Sequence, residues 1–172
     1  MGDSGSTHTL FPRVYVALRH LAERRLRRER PGYSLSPSDL VHEVYLRLLR
    51  DGSGAWGNPS HFFFIAAEAV RRILVERARR SRALRHGGGL ARVPLDERIV
   101  GIGPAEEVLA LDEGLALLER RYPRKARVVA LRYFAGFSVE ETAALLRVSP
   151  ATVKLDWTFA RAWLRRTLKH GA

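Results

Sequence analysis

Apolar residues in this chain recur at every third or fourth position and rarely alternate, a pattern that predicts helices and few strands. The first helix is expected from about Leu10 to Glu29, ahead of the breakers Pro31 and Gly32. A second is expected from Ser38 to Arg50. At 100° per residue, Leu40, Val41, Val44, Tyr45, Leu48 and Leu49 form its buried side. Asp39, His42, Glu43, Arg47 and Arg50 form the outer side, with Leu46 near its middle. A glycine-rich loop, Asp51 to His61, then holds Trp56 and leads into a long helix over residues 62–85. Its inward stripe is Phe62, Ile65, Ala66, Ala69, Val70 and Ile73. Its outward side mixes Phe64 and Val75 with Arg71, Arg72, Arg79 and Arg82.

The helical period lapses between His86 and Glu107. Three consecutive glycines and two prolines there predict a flexible linker. Two further helices, from Pro104 and from Pro123, lead to "GFSVEETAALLRVSPATVKLDW". Gly136 suits a left-handed helix terminus. Ser138 and Glu141 have the spacing of a capping box, and Val139, Ala143 and Leu146 face inward. Arg147, Val148 and Ser149 make the turn, and Ser149 with Pro150 opens a last helix. Val153, Trp157, Ala160, Leu164 and Leu168 share its inner face. Thr152, Lys154, Leu155 and Thr158, then Arg161 and Arg165, share the outer one. The expected fold is all-α: a helical domain over residues 8–85, a linker over 86–107, and a four-helix domain with a helix-turn-helix over 108–170.

Charge gives these faces a direction. The net charge of +12 and a pI near 11.2 favour a polyanionic partner. Residues 1–86 carry 16 Arg and Lys against 8 Asp and Glu, and residues 108–172 carry 12 against 6. Between them, residues 87–107 carry 2 against 4, so two basic blocks flank a slightly acidic connector. The absence of cysteine excludes disulfides and thiolate metal sites and suits a reducing, cytoplasmic setting. No stretch approaches the roughly 20 apolar residues of a membrane span, and the amino terminus lacks the order of a secretory signal. No carboxylate cluster, metal-ligand spacing or nucleophile–base pattern is present, so neither catalytic residues, a metal nor a cofactor is expected.

Each candidate surface has a functional and a plain structural interpretation. Leu46, centred on charged groups, can anchor another protein's helix, or it is simply an exposed leucine. Trp56 can stack on an unpaired base or fill a local gap. The arginines and apolar groups of the long helix can meet phosphates and splayed bases, or form a solvated basic face. In the last helix, Ser149, Thr152, Lys154, Leu155 and Thr158 lie early enough to reach base edges, while Arg161 and Arg165 suit phosphates. A stand-alone helix-turn-helix regulator would use that helix alone.

Taken together, "RRERPGYSLSPSDLVHEVYLRLL", "HFFFIAAEAVRRILVERARR" and "YPRKARVVALRYFAGFSVEETAALLRVSPATVKLDWTFARAWL" resemble the extracytoplasmic-function (ECF) group of bacterial sigma factors. The resemblance covers nearly the whole chain. It implies that Asp39, His42, Glu43, Leu46, Arg47 and Arg50 dock on the coiled coil of the largest subunit of core RNA polymerase, with a further contact to the flap. It implies that Trp56, Phe64, Arg71, Arg72, Val75 and Arg79 open and capture the −10 element, and that the helix from Ser149 reads the duplex −35 element. Promoter DNA and core polymerase are the implied partners, with room for a regulator such as an anti-sigma protein. The chain departs from the family pattern in four places. Arg72 and Glu76 stand near positions that commonly hold asparagine and aspartate. Arg147 stands where the turn commonly has glycine, and Leu155 replaces a residue that is often basic.

Overall fold

Three of the helices begin in the same way, with a hydrogen-bonding cap residue followed by proline. The pairs are Ser36-Pro37, Asn58-Pro59 and Ser149-Pro150. The cap side chain accepts a hydrogen bond from an otherwise orphaned amide, and proline occupies the first position, where no amide donor is needed. The hydroxyl of Ser36 accepts from the Asp39 amide at 3.1 Å, Asn58 Oδ1 from the His61 amide at 2.8 Å, and Ser149 Oγ from the Thr152 amide at 3.1 Å. These caps set the helix starts.

A computed structural model describes residues 5–26, 35–50, 58–84 and 105–170. Seven α-helices are found there: α1 (Gly5–Leu26), α2 (Pro37–Arg50), α3 (Pro59–Leu84), α4 (Ala105–Arg121), α5 (Pro123–Val129), α6 (Val139–Leu146) and α7 (Pro150–His170). A π turn, Ala130–Phe134, extends α5. The described residues contain no strand, so the all-α expectation holds. With α5 and its π extension taken as one helix, the second half has the four helices expected. Helix α1 starts upstream of the expected Leu10, and α2 and α3 start one and three residues before their expected positions, where the caps lie. Helix α4 begins inside the stretch assigned to the linker, because Ala105, Glu106 and Glu107 suit an amino-terminal turn electrostatically. The rest of that stretch, up to residue 104, lies outside the described residues.

One apolar cluster runs through the described chain from Leu18 in α1 to Leu164 in α7. Helix α3 occupies its middle, packed on α2 and also on α4 and the π turn. The expected inward stripe of α3 is present, with Ala66, Val70 and Ile73 fully buried. A second buried stripe lies beside it: Ala67, Arg71, Leu74, Val75 and Ala78. Its spacing of four, three, one and three is itself helical. The expectation that Arg71 and Val75 face outward is therefore corrected. They stand 9% and 5% exposed, because α3 is covered on two flanks. Leu49, expected to be buried, is 51% exposed, since it sits at the edge of α2's apolar arc near the helix end.

A second, smaller cluster of Val128, Ala143 and Val153 holds the helix-turn-helix together, with Val139, Leu146, Val148 and Trp157 around it. Small Ala143 lets α6 approach its neighbours closely, as expected. Helix α6 ends with Arg147 at φ 55°, ψ 45°, in the left-handed region. The Val148 amide donates to the Ala143 carbonyl at 3.0 Å, and the Arg147 amide to Ala144 at 3.3 Å. This Schellman-type closure normally favours glycine. Arginine there should cost about 1 kcal/mol of conformational energy. Arg147→Gly is expected to raise stability by about 0.5–1 kcal/mol, read as a shift in urea-unfolding midpoint. An unchanged or lower midpoint would show that the side chain compensates for the strain.

Candidate nucleic-acid interface

The candidate surface on the helix-turn-helix is built from the cap outward. Ser138 and Glu141 form the expected reciprocal capping box: the Ser138 amide donates to Glu141 Oε2 at 2.8 Å, and the Glu141 amide to Ser138 Oγ at 3.1 Å. On α7, Val153, Ala160 and Leu164 are buried, and Trp157 packs against the core with the Arg132 guanidinium 4.7 Å from its ring centre. Trp157 is thus partly buried on the core side of α7, the side its helical position implies. The opposite face presents Lys154, Leu155 and Thr158, all exposed, with Leu155 at 73%. Arg161 and Arg165 follow on the same side, each half-buried. Thr152 is half-buried, and its hydroxyl lies 2.9 Å from that of Ser149. Those two residues are therefore engaged with one another at the mouth of α7.

One residue central to this surface escaped the sequence reading. Asp156 lies on α7 but only 3% exposed. Arg124 donates to its carboxylate at 2.6 and 3.2 Å, and Lys125 at 2.9 Å. Two cations from the start of α5 thus fix the rotation of α7. Burial pushes the Asp156 carboxyl up, but the hydrogen bonds and charges of Arg124 and Lys125 outweigh it and leave the group below the ordinary carboxylate range. An aspartate among outward-facing polar residues gives no sequence cue of this role. Its only signal is the pair of cations about 30 residues earlier.

The first half brings two of the expected groups together. A surface cleft of about 470 Å³ is lined by Arg47 and Arg50 from α2 and by Phe64, Glu68, Arg72 and Glu76 from α3. Arg47 donates to both Glu76 oxygens, one at 3.0 Å, and Arg77 donates to Glu43 at 3.2 Å. Hydrogen bonds from Arg47, reinforced against burial by nearby arginine charge, hold Glu76 below its ordinary pKa. Asp39 is exposed and closes a capping box of its own, accepting from the Ser36 hydroxyl at 2.7 Å and the Ser36 amide at 3.2 Å. His42 is exposed, and Leu46 is 42% exposed on the same outer face. Arg72 and Arg79 are exposed on α3, and Phe64 is half-buried. Trp56 lies outside the described residues.

No cluster of three or more His, Cys, Asp or Glu among the described residues is arranged to hold a metal ion. No described helix is long and apolar enough to cross a membrane.

The depressed Asp156 pKa has a definite sign. An acid whose folded pKa lies below its unfolded value adds stability above the unfolded pKa of about 3.9 and loses it as pH falls through the folded value. Asp156→Asn should flatten that acid limb of the stability curve and lower stability at neutral pH by about 1–3 kcal/mol. Unfolding midpoints followed from pH 7 to pH 2 check this. An acid limb identical to that of the wild type would remove Asp156 from the linkage.

A family model described as ECF sigma factor matches residues 1–170. Comparison with curated proteins and with solved structures finds no match. A match over essentially the whole chain takes in both basic halves and the helix-turn-helix between α6 and α7. The chain belongs to the ECF sigma factor family, and its activity is that of a sigma factor directing RNA polymerase to promoters.

Proposed function

We propose that this sigma factor works in the cytoplasm as a two-part promoter reader. Helix α7 reads the duplex −35 element, and α2 and α3 serve polymerase docking and the −10 element. One observation carries the proposal: α7 exposes a single face of Lys154, Leu155 and Thr158, while its opposite face is locked by Val153, Ala160 and Asp156. A helix held at fixed rotation presents the same side chains to every groove it enters, which sequence reading requires. Lys154 suits a phosphate or a guanine edge. Leu155 suits a thymine methyl, since it brings apolar surface and no hydrogen-bonding group. Arg161 and Arg165, one and two turns further along, have the charge for phosphates.

On the other half, Leu46 projects from α2 among Asp39, His42 and Glu43, and Arg47 and Arg50 border the cleft beside it. An exposed leucine ringed by charge has the character of a hot spot for a partner helix. We assign that surface to the coiled coil of the polymerase's largest subunit. We assign the exposed Arg72 and Arg79 and the half-buried Phe64, with Trp56, to the −10 element; Arg71 and Val75, buried in the second stripe of α3, are left out of that assignment. Aromatic and arginine side chains there can recover the few kcal/mol spent per unstacked base. The flap of the polymerase and an anti-sigma protein or other regulator are further partners of this reading.

Run-off transcription with core polymerase on genomic fragments, followed by start-site mapping, tests the whole reading. Leu46→Glu should weaken competition for core polymerase at least about tenfold while the second half stays folded. Lys154→Ala should weaken −35 duplex binding by about 1 kcal/mol and reduce its salt slope by about one, with polymerase binding retained. If Leu46→Glu competes as well as the wild type, α2 is not the docking surface. DNA binding without any polymerase binding would favour a stand-alone regulator.

A further inference from the structure

The outward centre of α7 carries almost no hydrogen-bonding side chain. At about 100° per residue, Ala151, Phe159 and Ala162 fall within about 40° of Leu155, while Lys154 lies about 100° away. All four apolar residues are exposed, Leu155 at 73% and Phe159 at 38%. The groups that would read a base edge by hydrogen bonding are missing or engaged. Helix α7 has no Asn or Gln, the residues that pair bidentately with adenine. Its one carboxylate, Asp156, is buried against Arg124 and Lys125. The Thr152 hydroxyl lies 2.9 Å from that of Ser149. Only Thr158, at the edge of the patch, adds an exposed hydroxyl-bearing residue.

The patch is held in place. The Phe159 ring meets Tyr122 edge to face at 4.9 Å, and Lys125 Nζ stands 4.9 Å from its centre. Lys125 also donates to Asp156 at 2.9 Å, so one of the cations that fix the rotation of α7 braces this ring as well. Leu155, one turn earlier, projects beside that braced ring. Lys154 is exposed next to it, and Arg166 is exposed about three turns further along the same side. An apolar patch bounded by cations fits a ligand that is apolar at its centre and anionic at its edges. A major groove lined with thymine has that character, with C5-methyl groups on its floor and phosphates along its walls.

We propose that the −35 element is read at its centre through thymine C5-methyl groups. Leu155 is the specificity-determining residue and covers one thymine methyl, while Ala151, Phe159 and Ala162 exclude water around it. The inference rests on the assignment of α7 to the −35 duplex and names what the helix reads there. Cytosine, the other pyrimidine, presents a bare C5–H at that point and leaves Leu155 without a partner. Adenine is recognised through the thymine it pairs with, and Lys154 adds affinity from the flank.

Replacing thymine by deoxyuridine removes that methyl and leaves every pairing group in place. Holoenzyme made from the full-length chain and core polymerase is bound to a promoter fragment located by run-off transcription. The thymines of its −35 element are replaced singly by deoxyuridine on either strand. At the position opposite Leu155 the wild type should bind about fourfold more weakly, the effect of one methyl returned to water. Leu155→Ala should bind thymine and uracil there equally, and Leu155→Met, which keeps the apolar reach, should still prefer thymine. The side chain is open to solvent, so neither change opens the core. Equal binding of thymine and uracil at every position by the wild type overturns the methyl contact. A Leu155→Ala holoenzyme that discriminates as well as the wild type also overturns it. So does a Leu155→Ala chain that no longer competes for core polymerase, since the patch would then be a protein interface. If scrambling the whole −35 element costs the wild type no binding, the assignment of α7 to that duplex fails, and this inference with it.

Discussion

Helix α3 buries two adjacent stripes, one centred on Val70 and Ile73 and the other running from Ala67 to Ala78. Burying the first stripe alone would leave Leu74 and Val75 in water, at about 1.5–3 kcal/mol for each if fully exposed. The fold meets that constraint by covering α3 from α2 on one flank and from α4 and the π turn on another. Arg71 follows from the same constraint. It falls within the second stripe, so its charge must be paired, and Asp112 and Glu68 supply the partners. The contact between the halves is therefore a consequence of how α3 is patterned.

The π turn has a related place in the fold. At Ala130 the hydrogen-bond pattern widens by one residue, with the Ala135 amide donating to the Ala130 carbonyl at 3.2 Å. Such a turn alters which side chains share a face. Leu131, Tyr133 and Phe134 are all buried within five residues, more than one helical stripe would allow, and Arg25 stacks on Tyr133 at 5.2 Å. Gly136, at φ 72°, then turns the chain toward α6, where a β-carbon would stand in van der Waals contact with Arg24 at 3.4 Å. The end of this helix is thus both the entry to the helix-turn-helix and a seam between the halves.

The outer faces of α7 and α2 are supported in different ways. Helix α7 is fixed by apolar contacts on one side and by the Arg124–Asp156–Lys125 cluster near its amino-terminal turns. Its outer face stays open. The outer side of α2 is also open, but α3 between the halves is largely covered.

The sequence by itself determined the helices, their caps and the register of the helix-turn-helix, because those depend on neighbours within about four residues. Ser138 with Glu141, Ser149 with Pro150, Gly136 and the inner face of α7 were all legible in this way. So were the open faces of α2 and α7, since a single amphipathic stripe needs no knowledge of what covers it. Position along the helix also placed Trp157 on the core side despite its aromatic character. Tertiary structure alone decided the rest. Arg71 and Val75 look like members of a solvated face until a second partner covers α3, although the Ala67–Ala78 spacing was a readable hint. The pairing of Asp156 with Arg124 and Lys125 spans about 30 residues, and that of Arg71 with Asp112 spans 41. Local periodicity carries no information about which charge will meet which across such a distance; the packing angles of the helices decide it.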